Sequence, residues 1–178
     1  MIDPGTNPNG EEFEAYNIRR WGGSGWTRHM KSEGRKDGAT FKDWKTWPNT
    51  FKAHQLIRLA ENKGVDTNAS NKALFEAVYE EGLNISSIET LVEIGTEKLG
   101  LSAEEVRDCL EFDRLGDEIK SDINAGRRKY DISGVPFFII GAEGKKGFPM
   151  RCRVLSRPAL FSTPSRLFWR RSKEKIEI

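Results

Sequence analysis

Apolar residues recur at helical spacing through the middle of the chain. Ala53, Leu56, Ile57 and Ala60 follow the i, i+3, i+4, i+7 pattern that places them on one helix face. Pro48 disfavours helix at Trp47, Asn49-Thr50 offers polar caps, and Gly64 ends the element. A second helix, capped near Asn68 or Ser70, turns Leu74 and Val78 inward with their neighbours Phe75 and Tyr79, and stops at Gly82. Ser86 or Ser87 caps a third, with Leu91, Ile94 and Gly95 on one face and Gly100 as its close. Ser102 followed three residues later by Glu105 is a capping box, and Val106, Cys109 and Leu110 of that helix face the core. Leu115, Ile119 and Ile123 mark a final helix that fades at Arg127-Arg128-Lys129. Residues 49–129 therefore read as four or five short helices with brief loops.

The pattern changes on both sides of this block. Residues 1–10 are turn-forming, and Glu11 and Glu12 suit the first turn of a helix reaching about Trp21, where acidic side chains complement the helix dipole. The Gly22-Gly23-Ser24-Gly25 cluster ends it. Trp26 to Lys31 reads as another short helix, ahead of a polar stretch from Ser32 to Ala39. Phe41, Trp44 and Trp47 recur every three residues, which is neither a strand period nor a full helical stripe, so an extended aromatic loop is expected. Beyond the helices, Phe137-Phe138-Ile139-Ile140 is a short run rich in aromatic and β-branched residues and reads as a buried strand. Pro136 has no N–H to give to a ladder and fits the strand's first position. An X-Pro bond pays only roughly 0.5–1 kcal/mol to be cis, so Gly134-Val135-Pro136 is a candidate cis-proline loop. Gly141 to Gly147 can turn a hairpin into a poor strand at Phe148 to Leu155.

Composition narrows the class. At 178 residues, 31% charged and 37% hydrophobic, the chain is long enough for a real core and reads as one soluble domain, or one plus a tail. Its net charge of +2 divides into −4 over residues 1–150 and +6 over 151–178. Charge confined to one end is a weak argument for nucleic acid, and no nucleic-acid partner is expected. The first residues show no basic and apolar leader pattern, and no run approaches the ~18 apolar residues of a membrane span, so no membrane association is expected. Cys109 and Cys152 lie 43 positions apart and form no CxxC, so reduced thiols and a cytoplasmic location are expected. No HExxH, DxD, P-loop or GxGxxG is present, and no metal or nucleotide site is expected. His29 and His54 are the only histidines; a single helical histidine is more often a surface or packed residue than a catalyst. Trp21, Trp26, Trp44 and Trp47 could line a ligand surface, although such aromatics usually pack the core.

Gly134-Val135-Pro136-Phe137-Phe138 resembles the cis-proline loop and following strand of the DsbA-like thioredoxin-fold family. Trp47-Pro48-Asn49-Thr50 with Ala53-His54 resembles the segment that opens the helical insert in that family's FrnE-type branch. Glu80-Glu81-Gly82-Leu83-Asn84-Ile85 is similar to the turn closing its next helix, and Ala125-Gly126-Arg127 with Ile132-Ser133 to its approach to the proline loop. The resemblance implies an α/β, thioredoxin-like (DsbA-type) fold with a large helical insertion and an incomplete sheet. It places a partial domain over residues 1–148 and a basic, divergent tail over 149–178. It also implies a thiol–disulfide oxidoreductase, in which a thiolate attacks a substrate disulfide and a second cysteine resolves the mixed disulfide. Val135, Pro136, Asn49 and His54 become the implied substrate-binding residues, and protein or peptide thiols and disulfides the implied partners.

Two departures qualify that implication. The family's CxxC, at the start of its first helix, has no counterpart in these residues, and residues 1–10 resemble the loop past the second strand, as in an N-terminally truncated member. Cys109 reads as a small buried hydrophobe, and Cys152 lies in the stretch least like the family. The expectation is an impaired or inactive oxidoreductase with no catalytic residue of its own and no cofactor. A second reading is a glutathione-dependent isomerase of the 2-hydroxychromene-2-carboxylate type, with glutathione as the supplied thiol. A third is a non-catalytic truncated binding protein, in which an exposed sheet edge would favour a homodimer.

Overall fold

The computed structural model describes residues 5–132, together with the backbone of two strands at 137–140 and 150–153. Two compact units divide the chain, one from Ile2 to Asp122 and one from Ile123 to Ile178.

In the first unit a two-residue strand, β1 (Glu11–Glu12), leads directly into α1 (Phe13–Trp21). Sequence reasoning put both glutamates in the helix. Glu12 is instead the extended residue before it, and its carboxylate accepts from the Glu14 and Ala15 amides. The acidic side chain does serve the helix start, from one position earlier than the pattern suggested. After the glycine-rich turn comes α2 (Thr27–Lys36), expected over Trp26 to Lys31, which continues into the polar stretch that begins at Ser32. A Glu33–Lys36 pair one turn apart supports its end. Gly34 lets the Phe41 ring lie against the helix: an added Cβ would clash with that ring. The aromatic stretch that follows, expected to be extended, instead starts with Phe41 in the left-handed region (φ 52) and turns at Lys42-Asp43 before it ends in β2 (Thr46–Trp47), antiparallel to β1 with Glu11 opposite Trp47.

The helical block then follows: α3 (Phe51–Asn62), α4 (Thr67–Tyr79), α5 (Ile88–Glu93) and α6 (Ala103–Glu111), with α7 (Gly116–Tyr130) starting in this unit. Much of each stripe read from the sequence lies in the core, which also takes in Ala73, Ala77, Ile85, Val92 and Leu99 and leaves Ile57, Leu115 and Ile123 half-buried. Leu56, Ala60, Ala77, Leu91, Val106 and Leu110 are fully enclosed, and α3 packs on α4, α5 and α6. Asp66, and neither Asn68 nor Ser70, caps α4, its carboxylate accepting from the Ala69 amide. Ser70 is buried one turn inside, its hydroxyl returned to the Asp66 carbonyl. Phe75, expected inward, is 58% exposed. Ser70, Ala73, Leu74, Ala77 and Val78 already fill the inner face, so Phe75 stacks outside on Tyr79 at 5.8 Å.

α5 does not stop at its last α-helical residue but widens into a π-turn at Ile94–Lys98, where Gly95 comes up against Val106 and Leu56. Ser87 caps α5 and Ser102 caps α6 as expected; Glu105, assigned to the reciprocal half of the capping box, instead pairs with Lys63 just past the end of α3. Between α4 and α5, Gly82 has φ +70 and an added Cβ would lie 2.6 Å from the Asp43 carbonyl oxygen. Glu80 next to it holds the aromatic stretch in place, accepting from the Thr40 hydroxyl and from the Phe41 and Lys42 amides.

In the second unit α7 continues through Arg127-Arg128-Lys129 to Tyr130, past the point where the pattern faded. β3 (Phe137–Ile140) and β4 (Met150–Arg153) pair antiparallel, with Phe137 opposite Arg153 and Ile140 opposite Met150. The strand read at 137–140 and the hairpin beyond it are present. Whether that strand is buried, the conformation of the Val135-Pro136 bond and the nature of the tail after 153 lie outside the described residues. The chain is thus α/β, predominantly helical, with sheet confined to two-stranded pieces among the described residues.

Candidate functional site

The two described residues of the expected substrate-binding set stand at the start of α3. Asn49 is engaged on three sides. Its amide donates to Ser86 Oγ at 2.8 Å, its Nδ2 donates to the Thr6 carbonyl at 3.3 Å, and its Oδ1 accepts from the Phe51 amide at 3.0 Å. The last bond serves the first turn of α3, which Thr50 leaves without a side-chain cap. Asn84 extends the arrangement, its Nδ2 donating to the Asn9 carbonyl and its Oδ1 accepting from Ser86. Asn49, Asn84 and Ser86 together clasp residues 6–9 against the helical block. A side chain held in this way fixes the loop–helix junction.

His54 lies one turn into α3, its amide bonded to the Thr50 carbonyl. The imidazole is half-buried, and burial pushes its pKa below the usual 6.5. It is therefore neutral at pH 7, with one ring nitrogen a donor and the other an acceptor. Val135 and Pro136 lie outside the described residues.

Around β2 the aromatic side chains form a continuous series. Tyr16 stacks on Trp47 at 4.3 Å, Trp47 on Trp44 at 5.7 Å, and Trp44 meets Tyr79 edge-on at 4.9 Å and Phe13 at 4.4 Å. Lys31 sits over the Phe13 and Trp44 rings. The inner members are core, as aromatics usually are. The outer end differs: Trp26 packs edge-on against both Trp47 and Trp21, its Nε1 donating to the buried Asn17, while Trp26 and Trp21 stay 39% and 45% exposed. Sequence reasoning weighed these tryptophans without separating the half-buried pair, Trp44 and Trp47, from the exposed one. Flanking cations would not have separated them, since Lys45 adjoins Trp44 as Arg20 adjoins Trp21.

Cys109 is 4% exposed on the inner face of α6, as its position in the stripe predicted. Burial, reinforced by the Asp108 and Asp113 carboxylates, pushes its thiol pKa above the usual 9.0. It lines a shallow cleft of about 260 Å³ between α3 and α6, together with Leu59, Lys63, Asp108 and Arg114. A nucleophilic cysteine needs the opposite environment, a cationic or helix-N-terminal setting that lowers the pKa. Cys152 stands opposite Phe138 in the β3–β4 ladder. Among the described residues no group of histidine, cysteine and carboxylate side chains could hold a metal ion, and no helix is long and apolar enough to cross a membrane.

A capped helical block in sequence before a Pro-led strand and hairpin defines the class, and comparison with known families agrees. The profile of the DSBA-like thioredoxin domain matches residues 30–152, more than half of the chain. The chain belongs to that family, and its fold is the DSBA-like thioredoxin fold with an incomplete sheet. No curated protein matches it as a relative.

Proposed function

We propose that this chain belongs to the FrnE-type branch of the thiol–disulfide oxidoreductases and that its 178 residues have little or no dithiol exchange activity of their own. The branch reading rests on Trp47-Pro48-Asn49-Thr50 with Ala53-His54 at the opening of α3, and on Gly134-Val135-Pro136 ahead of β3. The partners that go with it are protein or peptide thiols and disulfides. The inactivity reading is carried by a single observation: of two cysteines with no CxxC between them, the described one is buried with its thiol pKa raised. Exchange needs a thiolate to attack and a second thiol to resolve. At neutral pH Cys109 supplies little of the first, and it has no CxxC partner in the sequence for the second. The cytoplasmic assignment follows from the same sparse cysteines, which suit a reducing compartment.

The test is to incubate the full chain with a synthetic peptide disulfide, quench with acid and read intact masses. The expected result is no bond between Cys109 and Cys152 and no peptide thiol released above the protein-free rate. A mixed disulfide that resolves into a Cys109–Cys152 bond would overturn the proposal. Retention on glutathione-agarose, eluted by free glutathione, would move the reading to the isomerase class.

A further inference from the structure

The first unit carries its charge unevenly. Between Tyr16 and Lys36 there are six lysine and arginine side chains and one acidic one; between Asp37 and Asp122 there are ten against eighteen. The cationic segment is α1 and α2, which also hold the exposed apolar side chains Ile18 (59%), Trp21 (45%) and Trp26 (39%). Ile18 and Trp21 are three apart on α1 and share a face; Trp26 meets Trp21 at 6.5 Å across the glycine-rich turn. Arg20 lies over the Trp21 ring at 4.6 Å. Some of the local charge is spent within the chain: Arg19 pairs with Glu11 and Lys36 with Glu33. Arg28 and Arg35 are exposed and form no ion pair among the described residues, and Glu14, beside the patch, accepts from Ser24. The surface is therefore an aromatic and aliphatic platform rimmed by cations, on a body that is otherwise acidic.

We propose that this α1–α2 face is a docking surface for an acidic polypeptide segment carrying an aliphatic or aromatic anchor. Three features select that occupant. Tryptophan and arginine are the residues that most often dominate protein–protein binding energy, and here they are adjacent and pre-packed. Trp26 is fixed by its bond to Asn17 and its contact with Trp47, so ordering it on binding costs little entropy. Within the first unit the remaining surface is net acidic and disfavours an acidic partner, so in that unit the partner is steered to this face. A membrane surface fits less well, because the turn between the two tryptophans has only glycine and serine at its tip and both indoles are more than half covered. Single-stranded nucleic acid fits less well too, since Arg20 already occupies one face of Trp21. The inference is independent of the redox reading, because neither cysteine nor the Val135-Pro136 loop takes part.

The experiment uses the full chain and a fluorescein-labelled peptide that alternates leucine with pairs of glutamate, read by anisotropy at low and physiological salt. Binding is expected, weakening as salt rises. A peptide with glutamine in place of glutamate is expected to bind at least about tenfold more weakly. Trp21→Ala should weaken binding by about 30-fold, the size of a hot-spot loss near 2 kcal/mol. Ile18→Ser and Arg28→Gln, both at exposed positions, should each weaken it several-fold with unchanged circular dichroism, so the outcome does not depend on one variant folding. The proposal is overturned by equal binding of the glutamate and glutamine peptides, or by no binding at low salt. It is equally overturned by wild-type affinity in all three variants, by tighter binding to phosphatidylserine vesicles or oligothymidylate than to the peptide, or by self-association that Arg28→Gln abolishes.

Discussion

Gln55 on α3 is a polar side chain with no exposure at all, and one substitution there tests the electrostatics of the block. Its Nε2 donates to Asp113 Oδ1 at 2.5 Å, while its Oε1 has no hydrogen-bond partner among the described residues. Gln55→Glu keeps the shape and replaces the donor with a second carboxylate facing the first. In the folded state the introduced carboxyl is raised in pKa, first by burial and then by Asp113; unfolded, it has the ordinary value of about 4.3. Fully buried carboxyls shift by about 3 units or more, and each unit is worth about 1.4 kcal/mol, so a penalty of about 4 kcal/mol is expected at pH 7. The sign follows from proton counting. Above about pH 4.3 the folded variant binds more protons than the unfolded one, so its stability falls as pH rises. Near pH 4 the protonated carboxyl can donate to Asp113 much as the amide did, and the gap to wild type should close to about 1 kcal/mol. Urea melts of both proteins at several pH values from 4 to 8 measure this, with the slope checked for constancy. A penalty below about 1 kcal/mol at pH 7, or one that does not vary with pH, would refute the burial and pairing assigned to Gln55.

Two further outcomes follow from the same geometry. Gly82→Ala should cost more than Gly100→Ala in a urea melt: both glycines have positive φ, worth about 1–2 kcal/mol to an L residue, but only at Gly82 does the added Cβ meet a backbone oxygen. Equal losses would remove the Asp43 contact from the account. His54 should titrate below 6.5 by NMR. Because its folded pKa is depressed, the unfolded state binds more protons below about 6.5, and stability should fall as pH drops from there; a His54→Gln variant should lose that part of the pH dependence, and an unshifted titration would count against the burial of the ring.

Local order was legible in the sequence where one element's own pattern decided it. The α3 stripe of Ala53, Leu56 and Ala60, the Ser87 and Ser102 caps and the inward Cys109 all follow from spacing within a dozen residues. What escaped depends on contacts made far along the chain. β1 and β2 find each other across 34 positions, and nothing in the two-residue strand Glu11-Glu12 announces a partner. Glu80 fixes residues 40–42 from 38 to 40 positions away. Phe75 was misplaced because inner positions on α4 were already filled by Ser70, Ala73 and Ala77, small residues that a hydrophobicity count undervalues. At the candidate site, Asn49 was named through family resemblance, yet its bonds to Thr6 and Ser86 join three separated segments that no local pattern connects. Gln55 carried no signal, because a lone glutamine beside an apolar stripe reads as the edge of a solvated face. The family itself was legible because short motifs at Trp47–His54 and Gly134–Phe138 survive independently of these contacts, and the profile match spans both.

The central claim is that a DSBA-like thioredoxin domain without a paired, activated thiol does not turn over disulfides. Insulin reduction by the full 178-residue chain with dithiothreitol as electron source tests it most directly, followed as precipitation of the reduced chain and compared with Cys109→Ser and Cys152→Ser variants. The same onset time is expected for the chain, both variants and the protein-free control. Accelerated precipitation that disappears in either cysteine variant would contradict it.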